Sequence, residues 1–188
     1  MKNENLIKFF RELLKLKKLK RSGWIVSGVK NVESVADHSF MTTIMVLILG
    51  RGKNIDIGKA LKMAIIHDIA ECRVGDIITW ENFHKTKKEK VEVEEKAMKE
   101  LLSILEDEGN EYFNIWKEYE DSMTNEAKFV KAVDKLEMVL QALEYESEEK
   151  NLNKYIKTFF DDENVKLIFG TSKDFADLVK TIISLRKK

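Results

Sequence analysis

The stretch from Glu126 to Glu146 restricts the possible folds of this chain more than any other segment. Its apolar residues recur at intervals of three and four, a spacing that places them on one face of an α-helix. They are Phe129, Val133, Leu136, Leu140 and Leu143. The chain contains no proline and only eight glycines, so it lacks the residues that hairpin turns and linkers use. We therefore predict an all-α fold, a helical bundle in which residues 1–188 form a single domain.

The same periodicity predicts the other helices of the bundle, with loops where glycines or polar residues interrupt it. Helices are predicted from Leu6 to about Arg21-Ser22-Gly23, from Val35 to Arg51, from Ile57 to Arg73, from Lys85 to Glu106, from Tyr112 to Tyr119, from Leu152 to Phe160 and from Lys173 to Arg186. A loop is expected from Trp24 to Glu33, and Ser34 with Asp37 three residues later is typical of a helix N-cap. An ordered loop is expected from Asp76 to Thr79.

The charges of the chain are balanced, with 33 basic and 33 acidic residues. This balance argues against a nucleic-acid-binding protein, whose affinity depends on excess positive charge, but it permits a small phosphorylated ligand. The single cysteine, Cys72, cannot form an internal disulfide and fits a reducing compartment. The longest apolar run, from Ile44 to Leu49, is too short to cross a bilayer. We therefore expect a soluble cytoplasmic protein that binds neither nucleic acid nor membranes.

The predicted central helix carries ionisable side chains among apolar ones. Its apolar residues are Ala64, Ile65, Ile66, Ile69 and Ala70. They lie on nearly every side, which is typical of a helix that is enclosed by others. His67, Asp68 and Glu71 project from one side of this helix at neighbouring levels. Burying two carboxylates beside an imidazole is costly unless protons or a bound divalent metal compensate them. The alternative is a buried His67–Asp68 hydrogen-bonded pair with Glu71 at the surface.

Two further candidates for metal binding occur on other predicted helices. His38 lies in the first turns of the predicted helix from Val35 to Arg51, and Asp134 lies on the inner flank of the predicted helix from Glu126 to Glu146. Taken alone, His38 would be interpreted as a core histidine. Together with His67 and Asp68, these residues offer two nitrogens and two oxygens, which suit Co, Mn, Fe, Ni or Zn and suit Mg poorly. Four protein ligands leave a coordination position for water, as metal-assisted hydrolysis requires.

The order of these residues resembles the HD-domain superfamily of metal-dependent phosphohydrolases, and the flanking sequences resemble its 5'-deoxynucleotidase branch. Those sequences are Arg21-Ser22-Gly23-Trp24, Glu33-Ser34-Val35-Ala36-Asp37-His38, His67-Asp68-Ile69-Ala70-Glu71, Val74-Gly75-Asp76-Ile77, Thr124-Asn125-Glu126-Ala127-Lys128 and Asp134-Lys135-Leu136-Glu137. The resemblance covers about 6–146, the motif-bearing core of an HD domain, and is followed by C-terminal helices in 151–188. Members of the branch often have a proline after the Gly-Asp element, whereas this chain has Ile78-Thr79-Trp80 there.

The resemblance implies an enzyme that hydrolyses deoxyribonucleoside 5'-monophosphates by attack of a metal-bound water. The implied ligands of one divalent metal are His38, His67, Asp68 and Asp134. Glu71 would orient or deprotonate the water, and Asp68 and Arg21 would complete the catalytic set, with Arg21 gripping the phosphate. The implied substrate contacts are Arg21, Trp24, Asp68, Asp76, Ile77, Ile78, Thr79 and Asp134. Trp24 would border the nucleotide, and the stretch from Asp76 to Thr79 would contact the deoxyribose.

Two alternatives to this function remain open. An HD protein could act on a cyclic nucleotide, a nucleoside triphosphate or a guanosine alarmone, with Lys85, Lys87 and Lys88 supplying the additional phosphate contacts. The chain could also be a non-catalytic helical interaction protein. Relatives in this superfamily are often dimers, so we expect a homodimer that forms through exposed apolar groups of the aromatic and C-terminal helices.

Overall fold

The computed structural model describes residues 2–79, 86–160 and 173–186. Within these ranges the chain forms α-helices joined by loops and short 3-10 helices. The α-helices are α1 (Asn3–Leu13), α2 (Ser22–Ser27), α3 (Val35–Leu49), α4 (Ile57–Ile66), α5 (Glu71–Val74), α6 (Lys87–Leu102), α7 (Glu108–Glu120), α8 (Asn125–Glu148) and α9 (Lys173–Arg186). The 3-10 helices are Leu14–Lys17, Ser103–Leu105 and Lys154–Phe160. The only β-pairing in these ranges is an isolated antiparallel bridge between Lys20 and Ser34, which confirms the predicted all-α fold.

Helix α8 lies at the centre of the fold. It packs against α3, α4, α7 and α9. Its residues Val130, Val133 and Leu136 are fully buried in the main hydrophobic cluster, which also contains Val46 of α3 and Met63 of α4. Removing this apolar surface from water is the main contribution that favours folding. The observed helix confirms the predicted helical segment and extends it slightly at both ends.

Helix α3 begins at the predicted N-cap. The Ser34 hydroxyl accepts a hydrogen bond from the Asp37 backbone N–H, and the Asp37 carboxylate accepts one from the Ser34 N–H at 2.8 Å. This reciprocal pair satisfies two backbone donors that have no partner within the helix. The helix ends at Leu49, slightly before the predicted end at Arg51. The cap therefore fixes the first turns of α3, where His38 lies.

The predicted central helix is interrupted. Helix α4 ends at Ile66 and α5 begins only at Glu71, so the prediction of one continuous helix was wrong. In a continuous α-helix the carbonyl oxygen of His67 would accept a hydrogen bond from the Glu71 N–H. Here it accepts one from the indole N–H of Trp116 at 3.1 Å, and the Glu71 N–H donates to the carbonyl oxygen of Asp68. Tighter turns that bond to the third preceding residue therefore replace the α-helical pattern.

Residues that were predicted to form a loop form helix α2. Helix α1 ends at Leu13, well before its predicted end, and a new helix begins at Ser22. The Ser22 N–H donates to the carboxylate of Asp76 at 2.6 Å, and the Ser22 hydroxyl donates to the Asp76 carbonyl oxygen at 2.8 Å. Asp76 thus satisfies a donor of the first helical turn that has no partner within α2. The helix ends at Ser27, and the next residue, Gly28, has a φ of 87°, a conformation that glycine adopts readily.

The remaining helices differ from the predictions mainly at their boundaries. Helix α6 begins at Lys87 and ends at Leu102. Its predicted start, Lys85, lies outside the described residues, as does Trp80 from the stretch after Asp76. The predicted aromatic helix is part of the longer α7, residues 152–160 contain a 3-10 helix, and α9 has the predicted bounds. Across the ranges that the structure describes, no helix combines the length and the apolar composition needed to cross a bilayer.

Candidate metal centre and active-site cavity

Three helical elements bring three of the predicted metal ligands together. His38 lies near the start of α3, His67 follows the last residue of α4, and Asp134 lies in α8. All three side chains are buried, and one donor atom from each lies within 4.8 Å of the other two. Nε2 of His38 is 3.0 Å from Oδ1 of Asp134, and Nε2 of His67 is 4.0 Å from the same oxygen.

Asp68, the fourth predicted ligand, lies in the same cluster. Its Oδ2 atom is 3.3 Å from Nε2 of His67 and 3.7 Å from Nε2 of His38. Successive side chains of an α-helix diverge by about 100°. His67 itself keeps α-helical dihedral angles (φ −57°, ψ −39°), yet Nε2 of His67 and Oδ2 of the adjacent Asp68 lie only 3.3 Å apart. One carboxylate oxygen of Asp68 therefore lies within 3.7 Å of both Nε2 atoms of the cluster.

The hydrogen bonds at the far edge of each imidazole indicate which nitrogen faces the cluster. Nδ1 of His67 contacts the carbonyl oxygen of Ala64 at 2.7 Å, and Nδ1 of His38 contacts Oε2 of Glu137 at 2.6 Å. Both partners are acceptors, so each Nδ1 carries a hydrogen and each neutral ring presents its Nε2 lone pair to the carboxylates. Within the described residues, neither buried Nε2 atom has a hydrogen-bond partner. Facing lone pairs and carboxylates repel one another, so this donor set fits a divalent cation.

The electrostatics of the cluster also favour positive charge. Burial and Arg21 lower the pKa of His38, but Glu137 and Asp134 outweigh them and raise it to about 10. Burial raises the pKa of both Asp68 and Asp134. The charges of His67 and Arg21 nevertheless hold the pKa of Asp68 well below its usual range, and those of Lys135 and His38 do the same for Asp134. Groups that stabilise an imidazolium in this way attract a bound cation by the same interaction.

Glu71, the predicted base, is the first residue of α5 and is almost fully buried. In the part of the chain that the structure describes, neither of its carboxylate oxygens has a hydrogen-bond partner, and Nζ of Lys90 lies 3.7 Å from Oε1. Burial and the charges of Asp68 and Asp76 raise the pKa of Glu71 well above its ordinary value, although Arg21 and Lys90 lower it. Its oxygens therefore retain the capacity to accept a hydrogen bond from a water molecule.

Arg21 precedes α2 and extends to the cluster. Its Nη1 atom donates to Oδ2 of Asp68 at 3.3 Å and lies 3.8 Å from Oδ1 of Asp76. Burial lowers the pKa of Arg21, but these two carboxylates outweigh burial and raise it. Because Asp76 also accepts the hydrogen bond from Ser22, one carboxylate fixes the start of α2 and lies beside the guanidinium.

A cavity of about 340 Å³ adjoins the cluster, a volume that suits a small organic ligand. The predicted substrate contacts on its wall are Arg21, Trp24, Asp68, Asp76, Ile77, Ile78, Thr79 and Asp134. The indole N–H of Trp24 donates to Oε1 of Glu33 at 2.7 Å, and its ring stacks on Phe159 with centroids 3.8 Å apart. Trp24 is only 1% exposed, so it forms a fixed part of the wall.

Several polar residues of this region were not identified from the sequence. Glu137 is buried on α8 one turn after Asp134, and Lys90 and Glu94, both on the cavity wall, form an ion pair at 3.4 Å. The spacing of three between Asp134 and Glu137 is a detectable signal, because it places two carboxylates on one face of a helix. The Lys90–Glu94 pair carries no such signal, since this spacing is also typical of a solvated helix face.

Comparison with known proteins identifies the family. A profile of the HD domain matches residues 13–172. The 5'-deoxynucleotidase HDDC2 of Dictyostelium discoideum is 43% identical over 182 residues, which cover 92% of this chain and 95% of that protein. A crystal structure from Pyrococcus horikoshii has a TM-score of 0.79 and 34% identity, covering 95% of this chain and 99% of that one. A predicted metal-dependent phosphohydrolase from Magnetospirillum magnetotacticum has a TM-score of 0.74 and 26% identity, covering 97% and 91% respectively. The chain therefore belongs to the HD-domain phosphohydrolase family, within its HDDC2 branch.

Proposed function

We propose that this chain is a metal-dependent 5'-deoxynucleotidase, which hydrolyses deoxyribonucleoside 5'-monophosphates to a deoxynucleoside and phosphate. The convergence of two imidazole Nε2 atoms and two carboxylates beside a cavity that Arg21 lines carries this proposal. The 43% identity to a 5'-deoxynucleotidase over 92% of the chain supports the choice of substrate. A non-catalytic interaction protein gives no reason to retain buried polar atoms without partners beside such a cavity.

In this proposal His38, His67, Asp68 and Asp134 hold one divalent cation. Two nitrogen and two oxygen donors favour a transition metal such as Co, Mn, Fe, Ni or Zn over Mg. When bound, such an ion supplies Lewis acidity that polarises the phosphoryl group and water. Asp68 and Asp134 belong to the cavity wall, so the open side of the cluster faces the space available to the substrate.

Glu71 is proposed to orient the attacking water and to accept its proton. Its buried carboxylate oxygens have no hydrogen-bond partner among the described residues, and its raised pKa suits a general base. The ammonium group of Lys90, 3.7 Å away, holds the carboxylate in place. We expect Glu71→Gln, which preserves the size of the side chain, to lower kcat by about 100-fold or more while the bound metal content is unchanged. An unchanged kcat would exclude Glu71 as the base.

Arg21 is proposed to bind the phosphate. Asp68 and Asp76 hold its guanidinium at the cavity wall, and its planar fork can donate two hydrogen bonds to phosphate oxygens. We expect Arg21→Lys, which preserves the charge but not the fork, to raise KM by about 10-fold with a smaller change in kcat. A KM equal to that of the wild type would contradict this role.

The preference for a deoxy sugar is proposed to depend on the segment after Asp76. The Asp76 carboxylate already accepts a hydrogen bond from Ser22 and lies beside Arg21, so it orients the segment. Ile77 and Ile78 then present apolar side chains to the cavity. A ribose 2'-hydroxyl against this surface would lose its hydrogen bonds to water, at a cost of about 1–3 kcal/mol. We therefore expect a preference for the deoxy sugar of about 10- to 100-fold in kcat/KM.

Phosphate release from dAMP and from AMP tests the proposed activity directly. We expect the purified protein with Co²⁺ or Mn²⁺ to hydrolyse dAMP faster, to stop when the metal is chelated, and to resume when metal is added back. His67→Ala should lose both bound metal and activity, and a variant that kept both would show that the proposed site is wrong. Equal rates on both sugars would exclude deoxy selectivity. If the protein hydrolysed only cyclic nucleotides, only nucleoside triphosphates or only alarmones, that class would be its substrate instead of deoxyribonucleoside 5'-monophosphates.

We also propose that the chain forms a single HD domain in the cytoplasm, with neither nucleic acid nor membrane partners. The family match covers residues 13–172, and α9 packs against α8. Cys72 is a buried free thiol whose pKa burial raises to about 11, which fits a reducing compartment. The balance of 33 basic and 33 acidic residues disfavours nucleic acid. Two separate unfolding transitions would contradict the single domain.

A homodimer is proposed to form through α3. On the aromatic and C-terminal helices predicted as the interface, Trp116 and Phe175 are buried and Leu185 is exposed. By contrast, Phe40, Ile44 and Ile48 are exposed along one side of α3, with Phe40 at 65% and Ile48 at 67%. A two-fold axis would bring this apolar surface against its own copy. We expect light scattering to give the mass of a dimer and Ile48→Lys to give a monomer, whereas a monomeric wild type would refute the proposal.

A further inference from the structure

The carboxylate of Glu137 lies at the edge of the His38 ring that faces away from the candidate metal position. Its Oε2 atom is 2.6 Å from Nδ1 of His38, whereas Nε2 of the same ring is 3.0 Å from Asp134. Glu137 is 3% exposed, and His38 is fully buried. One turn of α8 therefore supplies both a proposed ligand, Asp134, and the carboxylate behind another ligand.

The packing of α8 does not explain a carboxylate at this position. The neighbouring residues Val133, Leu136 and Val139 are fully buried and apolar. An apolar side chain of similar size often makes a fold more stable than a buried charged pair does, because the charges lose their hydration. A second carboxylate, that of Glu33, also lies within 4.8 Å of the ring nitrogen and of Glu137, which adds repulsion. Apolar packing in the core therefore does not account for Glu137.

The contact with Glu137 determines how His38 can act. A carboxylate accepts hydrogen bonds, so it holds the hydrogen on Nδ1 and leaves the lone pair on Nε2, the nitrogen that faces Asp68 and Asp134. Rotation of the ring away from the cluster would break this short contact. His67 obtains the same effect from a backbone carbonyl oxygen, which is a neutral acceptor. The two proposed histidine ligands therefore differ in the charge behind them.

We propose that Glu137 is a positioning residue that fixes the tautomer and the orientation of His38 for metal binding. It acts through His38 and contacts neither the substrate nor the reacting atoms. Such outer carboxylates raise the basicity of the imidazole and contribute about 10- to 100-fold to metal affinity. The inference rests on the proposed function only in requiring that a metal bind at this centre.

The test compares three variants of the full chain, each stripped of metal and titrated with Co²⁺ in a calorimeter. Glu137→Gln preserves the size of the side chain and a neutral acceptor, and we expect it to weaken Co²⁺ binding by about 10-fold. Glu137→Leu removes the acceptor, and we expect a loss of about 100-fold. Glu144→Gln changes an exposed glutamate of the same helix, and we expect a change of less than about twofold. Thermal unfolding establishes that each variant is folded.

The ¹⁵N shifts of the His38 ring provide a readout that general destabilisation does not change. Above the raised pKa of His38, where the ring is neutral, we expect the metal-free wild type and Glu137→Gln to carry the hydrogen on Nδ1, and Glu137→Leu to show both tautomers. Co²⁺ binding by Glu137→Gln as tight as that of Glu144→Gln would overturn the inference, whether or not Glu137→Leu folds. A wild type that binds Co²⁺ but hydrolyses no nucleotide would refute the proposed function alone. The role of Glu137 would still be tested, because the Co²⁺ affinities of the wild type and the variants could still be compared with one another.

Discussion

Replacing Trp116 with phenylalanine tests whether the interruption of the central helix depends on one long-range hydrogen bond. The indole N–H donates to the carbonyl oxygen of His67 at 3.1 Å, and Trp116 is 1% exposed. Trp116→Phe leaves that carbonyl oxygen without this partner, at a cost of about 1–3 kcal/mol. The smaller ring leaves a void that costs about 1–2 kcal/mol more. We therefore expect the free energy of unfolding to fall by about 3 kcal/mol and the urea midpoint by roughly 1 M.

The same variant should also alter metal binding. The freed carbonyl oxygen of His67 can accept a hydrogen bond from the Glu71 N–H, which favours continuation of α4 and changes the backbone that positions Asp68 and Glu71. We expect Co²⁺ affinity to fall by about 10-fold, measured by calorimetry on folded protein. The control is Phe129→Leu, a buried residue that packs on Phe175, which should lower stability by about 1–2 kcal/mol and preserve Co²⁺ affinity. Unchanged affinity in Trp116→Phe would refute this explanation of the interruption.

Two further predictions concern the stability of the fold. Burial raises the pKa of the Glu94 carboxyl from 4.5 to about 7 in the folded protein, despite the ion pair with Lys90. As the pH rises from about 4.5 to about 7, Glu94 therefore ionises in the unfolded chain but stays protonated in the folded one. The free energy of unfolding of the wild type should fall over this pH range by up to about 3 kcal/mol. The advantage of Glu94→Gln over the wild type in urea unfolding should therefore grow by roughly 1–3 kcal/mol between about pH 5 and pH 8, and a constant difference would contradict the raised pKa. A Cβ atom at Gly109 would overlap the carbonyl oxygen of Leu102, so Gly109→Ala should lower the free energy of unfolding by about 2 kcal/mol or more and reduce Tm by several degrees. Gly58→Ala, at an α4 position with more space, should change it by less than about 1 kcal/mol, and equal losses in the two variants would contradict the overlap.

Local signals in the sequence were sufficient to predict the helices that carry two of the candidate ligands. The capping pair of Ser34 and Asp37 fixes the start of α3, so the position of His38 follows from its distance to the cap. The spacing of apolar residues in α8 places Asp134 on a buried face. Each signal involves residues within about one helical turn of one another, which is why it can be read without the tertiary structure.

The two wrong helix predictions arise from hydrogen bonds between residues that are far apart in the sequence. The end of α4 depends on Trp116, which is 49 residues from His67, and the start of α2 depends on Asp76, which is 54 residues from Ser22. No pattern within a single helix contains both partners of either bond. The local sequence around His67 favours a continuous helix, and only the packing of α7 against α4 brings in the competing donor.

Both exceptions to the local rules lie at the candidate site, and this coincidence has a physical reason. Nε2 of His67 lies 3.3 Å from Oδ2 of Asp68, and the interruption after Ile66 changes the backbone path from Asp68 to Glu71, two further groups of the site. Likewise, Arg21 reaches Asp68 from a segment whose direction is fixed by the bond between Ser22 and Asp76. Local propensity builds the supporting helices, whereas long-range hydrogen bonds impose the irregular backbone that brings the charged groups together. Removing either bond should therefore impair the site as well as the fold.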